Sequence, residues 1–240
     1  MELDSKNISI IAVELSKLPP VSPKQSKSYD KAAIKILDCV LSLNRDFDKF
    51  VVPRIDHFEA NNPHIISLAE LNGYIDHCPD QYHLFIVDLN YKDYDRADLL
   101  NRTLKWLIKE VRKYPGNDET ERLKGWATRS KPEDYQNTII YKGIKLKIPV
   151  VEGLGIAGWQ YLRMLFGADT CKPDRHIKGF IKECTGNNIG DIKAVNALHA
   201  AAPIAGFTVR EADRRIWRYM ANKAKSGGQS KRTGRAKYCL

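Results

Sequence analysis

Asp174 and His176 stand two residues apart in the segment Lys172–His176, which leads into a predicted helix over 174–185. An aspartate just before a helix accepts hydrogen bonds from the first backbone N–H groups, and this N-cap stabilises the helix by about 1 kcal/mol. The partial positive charge of the helix terminus also keeps such a carboxylate ionised. An ionised carboxylate can stabilise positive charge that develops during a reaction. The sequence predicts Asp174 as the N-cap of this helix, and capping and catalysis are not exclusive.

The tripeptide Gly153-Leu154-Gly155 comes shortly before a predicted helix over 157–167. A Gly-x-Gly turn exposes backbone N–H groups at the N-terminus of the following helix, where the helix dipole favours a phosphate. We expect Leu154 to anchor the turn by packing between two helical stretches. Many helix–helix turns use glycine only because it tolerates positive φ, so a purely structural turn remains the alternative.

The charge of the chain is uneven. Lysine and arginine number 39 against 29 aspartates and glutamates, a net charge of +10, and six of these units fall in the acid-free segment 223–240. We interpret this segment as a basic flexible tail that either attracts a polyanion or only increases solubility. Lys145 and Lys147, upstream of the glycine turn, and Lys172 are candidate contacts to a nucleic-acid backbone, although Lys172 could equally be a solvated loop residue.

Cysteine usage and hydropathy exclude several classes. The five cysteines form no CxxC pair, and we expect reduced thiols in a cytoplasmic protein. His77, Cys78 and His83 lack a fourth zinc ligand at suitable spacing, and four iron–sulfur thiolates are not present. No apolar run approaches the roughly 20 residues of a membrane span, and we expect no secretion signal. We therefore expect no metal, no cofactor and no membrane association.

The apolar periodicity predicts a mainly all-α fold without a parallel sheet. Residues 1–28 are interpreted as an N-terminal segment and linker, 29–222 as one domain, and 223–240 as the tail. Within the weakly patterned insertion 118–149, alternation predicts either a small hairpin around Lys142-Gly143 or an irregular loop. The predicted helices are 29–43, 46–58, 66–75, 95–112, 157–167, 174–185, 190–201 and 208–222.

The order of these motifs resembles the helix-hairpin-helix DNA glycosylases, the HhH-GPD superfamily that includes the endonuclease III relatives. In that family a Gly-x-Gly hairpin and a second helix are followed by a glycine-containing loop and an aspartate near a histidine. The early helix 36–45 is similar to a family helix that ends in a residue facing the DNA. The resemblance covers about 30–75 and 150–222 and is carried by Leu43, Asn44, Gly153, Gly155, Gly167, Asp174 and His176.

The resemblance implies two helical lobes with a helix-hairpin-helix motif and a DNA-binding cleft between them. It implies a DNA N-glycosylase of base-excision repair that flips a damaged or mismatched base out of the duplex. Its partner would be double-stranded DNA, bound by a cytoplasmic, nucleoid-associated monomer. Asp174 would be catalytic. The hairpin residues Gly153, Leu154 and Gly155, together with Lys145, Lys147, Lys172 and His176, would contact the DNA backbone.

Four residues are candidates for the base pocket or for the gap left by a flipped base. Leu43 and Asn44 end the early helix where the family inserts a residue, although Asn44 could instead be a C-cap. Trp159 and Tyr161 could stack on a base, but aromatic residues at this spacing are also typical of a helical core. The sequence leaves both alternatives open.

One position departs from the family pattern. Members that also cut the strand carry a lysine two residues after the second hairpin glycine, where the amine forms a Schiff base with the sugar. This chain has Ala157 there. The departure favours a monofunctional glycosylase. The alternatives are a non-catalytic DNA-binding protein that uses the same hairpin, and an unrelated helical protein with a basic tail.

Overall fold

The computed structural model describes residues 4–21 and 29–232, with side chains given as far as Lys223. The described chain is mostly helical, as predicted, with one two-stranded antiparallel sheet. None of the helices described is both long and apolar enough to cross a membrane. In chain order the elements are α1 (Ser5–Ser16), α2 (Ala32–Leu41), α3 (Val52–Asn61), α4 (Leu68–His77), α5 (Tyr94–Val111), α6 (Glu119–Arg129), β1 (Gln136–Tyr141), β2 (Ile144–Pro149), α7 (Ile156–Leu165), α8 (Arg175–Thr185), α9 (Asp191–Ile204) and α10 (Val209–Arg232).

The chain divides into two compact units. The terminal unit combines residues 1–27 with 169–240, and the central unit is Ser28–Ala168. The N-terminal segment, interpreted from the sequence as separate from the domain, is thus part of the unit that contains Asp174. Residues 22–28 of the predicted linker and 233–240 of the predicted tail lie outside the described residues.

The terminal unit forms around α1, α8, α9 and α10. The first helix, α1, has no counterpart among the predicted helices. It begins where the Asp4 side chain accepts a hydrogen bond from the Asn7 N–H at 2.8 Å. Ile11 and Leu15 are one helical turn apart and are fully buried in the core of this unit. A helix of 12 residues is marginally stable on its own, so we attribute its formation to this burial.

The central unit is built around α2, whose side chains from Ala33 to Leu41 are nearly all buried, except Lys35. The helix packs against α5 and α7. This confirms the helix predicted over 29–43, which the structure places at Ala32–Leu41. A π-helical turn over Phe47–Val51 precedes α3, so the helix predicted over 46–58 begins in a different geometry.

Two segments differ from the sequence prediction. Within the insertion 118–149, the structure contains α6, capped by the Asp118 side chain, which accepts from the Glu121 N–H at 2.8 Å. Its few apolar side chains, among them Trp126, are buried in the central core. At the other end, α10 continues to Arg232, ten residues past the predicted end at 222, so the tail begins as helix.

The hairpin alternative for the insertion is confirmed. In the β1–β2 register Tyr141 pairs with Ile144 on either side of Lys142 (φ +47°) and Gly143 (φ +79°). Positive φ at both central residues is typical of the two-residue turns that suit strand twist. The strand β2, rather than the expected helical stretch, therefore precedes the glycine turn at 153–155.

Candidate functional site

The glycine turn begins α7 in the central unit. Gly153 has φ +87°, a conformation that side chains rarely adopt. Leu154 is buried at 2% exposure, as predicted, and its N–H donates to the Val151 carbonyl at 3.1 Å. Gly155 is the N-cap residue and supplies no side-chain acceptor. The first N–H groups of α7 are therefore not capped by a side chain, which is the arrangement that an anion can bind.

Gly158 permits the close packing behind this turn. A Cβ at Gly158 would lie 2.6 Å from Leu154 Cδ1 and 3.2 Å from Leu43 Cδ2. Leu43 is half-buried against this position. Leu43 thus packs beside Gly158, and its assignment as an inserted residue stays a prediction.

Asn44 is exposed and has a left-handed backbone, with φ +56°. Asparagine is one of the few residues that adopt this conformation readily. The helix itself ends earlier, with Ser42 as its C-cap, so the C-cap alternative for Asn44 is not what the structure shows. Its exposed side chain remains a candidate contact.

Two arginines near this site were not predicted from the sequence. The exposed Arg102 on α5 donates from Nε to the Glu152 carbonyl at 3.3 Å, and its Nη2 lies 3.7 Å from the position of a Cβ on Gly153. Arg96 donates to the carbonyls of Val40, at 2.8 Å, and Leu43. Arg96 therefore holds the end of α2, and Arg102 adds a positive charge beside the turn. Both lie some 50 residues from the turn, so no local pattern indicates them.

Trp159 belongs to the core, which is the alternative that the sequence left open. It is 3% exposed, and its ring centroid lies 5.3 Å from that of Trp106 and 5.6 Å from that of Trp126. The indole N–H donates to the Lys131 carbonyl at 3.2 Å. A base cannot stack on a ring enclosed in this way, so the structure removes Trp159 from the candidate pocket.

Tyr161 is held in a buried polar network. Its hydroxyl donates to Asp38 Oδ2 at 3.0 Å, and the Ser42 hydroxyl donates to Asp38 Oδ1 at 2.7 Å. Burial, together with the negative charge of Asp38, raises the pKa of the Tyr161 hydroxyl. The residue therefore links α7 to α2, and it is half-buried, so its assignment to the base pocket stays a prediction. The buried Asp38 was missed because an aspartate in an apolar helix has no distinctive spacing.

Asp174 is the N-cap of α8 in the terminal unit. Its Oδ1 accepts from the backbone N–H groups of His176 at 2.8 Å and Ile177 at 3.4 Å, which confirms the predicted cap. Oδ2 lies 3.3 Å from His176 Nδ1. Burial alone would raise the pKa of Asp174, but the His176 hydrogen bonds and the charge of Lys172 outweigh it and lower the pKa. Asp174 is therefore an anion at neutral pH, with 21% of its side chain exposed.

Lys172 and His176 are both half-buried beside Asp174. The His176 ring packs edge-on against Trp217 of α10, with centroids 6.2 Å apart. The Lys172 carbonyl accepts from the Asp174 N–H at 2.7 Å. Lys172 and His176, the two candidate phosphate contacts, therefore also hold Asp174 in place. All three residues belong to the terminal unit, so the fold of that unit sets the distances between them.

Asp213 on α10 is a second carboxyl group in this cluster, and no local pattern in the sequence indicates it. Its Oδ1 accepts from the Lys172 N–H at 2.9 Å. Burial and the negative charge of Asp174 raise the pKa of Asp213 to about 7, against the lowering effect of the Lys172 N–H bond and of the charges of Lys172 and Arg214. The residue ties the loop that carries Asp174 to α10, almost 40 residues further along the chain.

Lys145 and Lys147 lie on one exposed face of β2. The position of the family lysine holds Ala157, half-buried in the first turn of α7. Among the described residues no three histidine, cysteine or acidic side chains are grouped to hold a metal ion. The structure thus describes two separate groups of candidate residues: the glycine turn with Arg102 in the central unit, and the Asp174 cluster in the terminal unit.

Residues 136–221 match a family model described as a domain of unknown function, DUF8548. The match covers just over a third of the chain and runs from β1 into α10. It includes the glycine turn, Asp174 and Asp213. No curated protein and no solved structure matched the chain.

Proposed function

We propose that this protein is a DNA N-glycosylase that hydrolyses the bond between a flipped base and its sugar. The observation that carries the proposal is the Asp174 carboxylate, which is ionised and partly exposed at the N-terminus of α8. It follows the Gly153–Gly155 turn in the order typical of the HhH-GPD superfamily. The terminal unit thus supplies a fixed negative charge, and the central unit supplies an anion-binding turn.

The chemistry requires a negative charge in a fixed position. When an N-glycosidic bond breaks, positive charge develops on the sugar, and a pre-placed carboxylate stabilises it. Asp174 meets this requirement because Oδ1 is held by two backbone N–H groups, while Oδ2 faces only the His176 ring among the contacts described. Oδ2 is the oxygen that we assign to the developing charge or to the attacking water.

Binding of double-stranded DNA is assigned to backbone contacts. The uncapped N–H groups of α7 and the Arg102 guanidinium would bind one phosphate, and Lys145 and Lys147 would bind others. Each neutralised phosphate contributes about −0.9 to the slope of log K against log salt. We propose that the protein binds as a monomer, and several such contacts should make its DNA affinity fall steeply as the salt concentration rises.

The decisive experiment measures base release from duplexes that carry alkylated, oxidised, deaminated or mismatched bases. Asp174→Asn should reduce release at least ~100-fold, while asparagine still caps α8. Asp169→Asn is the matched control, because Asp169 is another capping aspartate of the same unit and accepts from the Arg210 N–H at 2.9 Å. Undiminished release by the Asp174→Asn protein would contradict the assigned role.

We also propose that the enzyme lacks strand-cleaving activity, since Ala157 replaces the amine that forms a Schiff base. Borohydride trapping on a duplex whose base is released should yield no covalent adduct, because only a Schiff base is captured. A trapped adduct would show that another amine, such as that of Lys172, acts as the nucleophile.

A second candidate function is DNA binding without catalysis, which the exposed lysines of the β1–β2 hairpin favour because they act independently of Asp174. This function predicts salt-sensitive binding with no abasic product on any duplex. Removal of residues 223–240 distinguishes both candidates from an unrelated protein with a basic tail. Most of the affinity should survive this truncation if the turn and the hairpin bind DNA.

A further inference from the structure

The β1–β2 hairpin is the most exposed part of the described chain with a regular structure. Every residue from 137 to 149 is exposed. Residues 136–149 contain three lysines and no acidic residue. The hairpin is thus a positively charged surface, and neither its fold nor the Asp174 chemistry accounts for it.

The two faces of the hairpin differ. Residues directly opposite each other in an antiparallel pair lie on the same face. One face therefore carries the pairs Ile139–Leu146 and Tyr141–Ile144, whereas the other carries Ile140–Lys145 and Thr138–Lys147. The hairpin combines an apolar face with a basic face, and the two faces meet at the turn.

Within the hairpin, the most exposed apolar side chains lie at the turn. Ile140, Tyr141 and Ile144 are 71%, 59% and 62% exposed, whereas Ile139 and Leu146, further from the turn, are 40% and 39% exposed. Lys142 lies in the turn, with its ammonium 5.5 Å from the centre of the Tyr141 ring. The turn thus presents bulky apolar side chains flanked by positive charges.

We propose that the turn of this hairpin inserts Tyr141 and Ile144 between base pairs of duplex DNA while Lys142 and Lys145 bind the adjacent phosphates. A two-stranded ribbon fits a DNA groove, and apolar side chains inserted from a groove partly unstack the duplex. The positive charge of the hairpin favours DNA as its partner. Pairing with the hairpin of a second copy of this chain would bring two lysine clusters together without any acidic residue between them, and they would repel. The inference rests on the proposed function only in taking DNA as the partner.

The structure makes the hairpin separable from the central unit. The Val150 N–H donates to the Tyr135 carbonyl at 2.8 Å, so the chain enters and leaves the hairpin at adjacent points. A variant in which Asn-Gly replaces residues 136–149 can therefore close the chain between Tyr135 and Val150. This deletion keeps the glycine turn, α7 and the terminal unit intact.

The test uses the full chain and an undamaged duplex with 2-aminopurine at one position, whose fluorescence rises when the base is unstacked. The wild-type protein should raise the fluorescence. The double variant Tyr141→Ser, Ile144→Ser should abolish the rise and weaken binding about tenfold or more. The matched control is Ile204→Ser, which removes an apolar side chain of similar exposure, 65%, in the terminal unit.

A second pair of variants tests the charges. Lys142→Gln with Lys145→Gln should reduce the slope of log K against log salt by about two. The hairpin deletion should abolish the fluorescence rise while its circular dichroism spectrum stays helical, which separates loss of insertion from loss of folding. The reduced salt slope and the lost fluorescence rise are both expected only if the hairpin itself binds the DNA.

Three results would overturn the inference. These are a wild-type protein that does not bind or unstack the duplex, a serine double variant that unstacks it normally, and self-association in sedimentation that the same double variant abolishes. Base release from lesion duplexes is measured separately. If no duplex releases a base but unstacking persists, the glycosylase proposal fails and the inserted hairpin stands. If release depends on Asp174 but the hairpin variants unstack DNA normally, the glycosylase proposal stands and the inserted hairpin fails.

Discussion

Asp213 should make the stability of this protein depend on pH in the neutral range. In the folded chain its pKa is raised from 3.8 to about 7, first by burial and then by the nearby Asp174 carboxylate. Below pH 4 the carboxyl group is protonated in both states. Between pH 4 and 7 the folded protein retains a proton that the unfolded chain releases, so stability falls as pH rises. Above pH 7 the full cost of the buried charge is present.

The size of this cost follows from the shift. One pKa unit corresponds to about 1.4 kcal/mol, so the shift of Asp213 amounts to about 4 kcal/mol at pH 8. Because the side chain is only half-buried, water screens part of the charge, and we expect about 2 kcal/mol to be measured. Asp213→Asn removes the charge but keeps an oxygen that can accept from the Lys172 N–H. The variant should therefore be more stable than the wild type at pH 8.

The measurement is urea unfolding followed by circular dichroism at pH 8, 6 and 4.5. The advantage of Asp213→Asn should decrease as the pH falls. Glu183→Gln is the control, because Glu183 forms an exposed ion pair with Lys223 at 2.8 Å that contributes about 1 kcal/mol or less. Its effect should show no step near pH 7. An Asp213→Asn protein that is less stable at pH 8, or equally shifted at every pH, would refute the electrostatic reasoning.

Three further substitutions should lower stability, each measured as a shift in the thermal midpoint. Gly158→Ala places a methyl group 2.6 Å from Leu154 Cδ1 and should cost about 1–3 kcal/mol, a decrease of several degrees. Asp169→Ala removes the acceptor of the Arg210 N–H at the start of α10 and should cost about 1 kcal/mol. Ser67→Ala breaks the capping box at the start of α4 and should cost a similar amount.

Each of these substitutions has a control. Gly73→Ala is the control for Gly158→Ala, because Gly73 is also helical but nothing lies within 4 Å of a Cβ there; alanine should stabilise the helix. Asp169→Asn and Ser67→Thr keep a capping acceptor, and threonine also keeps the hydroxyl that donates to Glu70, so both should be nearly neutral. Equal midpoints for Gly158→Ala and wild type would mean that Leu154 moves aside freely. Equal losses for Asp169→Asn and Asp169→Ala would mean that the cap is not the cause.

The sequence predicted the local features of the candidate site. The cap at Asp174, the burial of Leu154 and the turn at Lys142-Gly143 depend on residues within a few positions of one another, so their types and spacing are informative. The outcome for Trp159 could not be predicted in this way. Whether an aromatic residue lines a pocket or fills a core depends on its neighbours, and here Trp106 comes from another helix.

The remaining features depend on residues that are far apart in the chain. Local spacing determined that most of the chain is helical, where the strongest amphipathic helices lie, and which carboxylate begins α8. Only the tertiary structure decided that residues 1–27 join 169–240, that Arg102 lies beside the glycine turn, and that Asp213 bonds the loop of Asp174. These contacts are selected by the burial of apolar surface across the whole unit, and burial leaves no local signature at the individual positions.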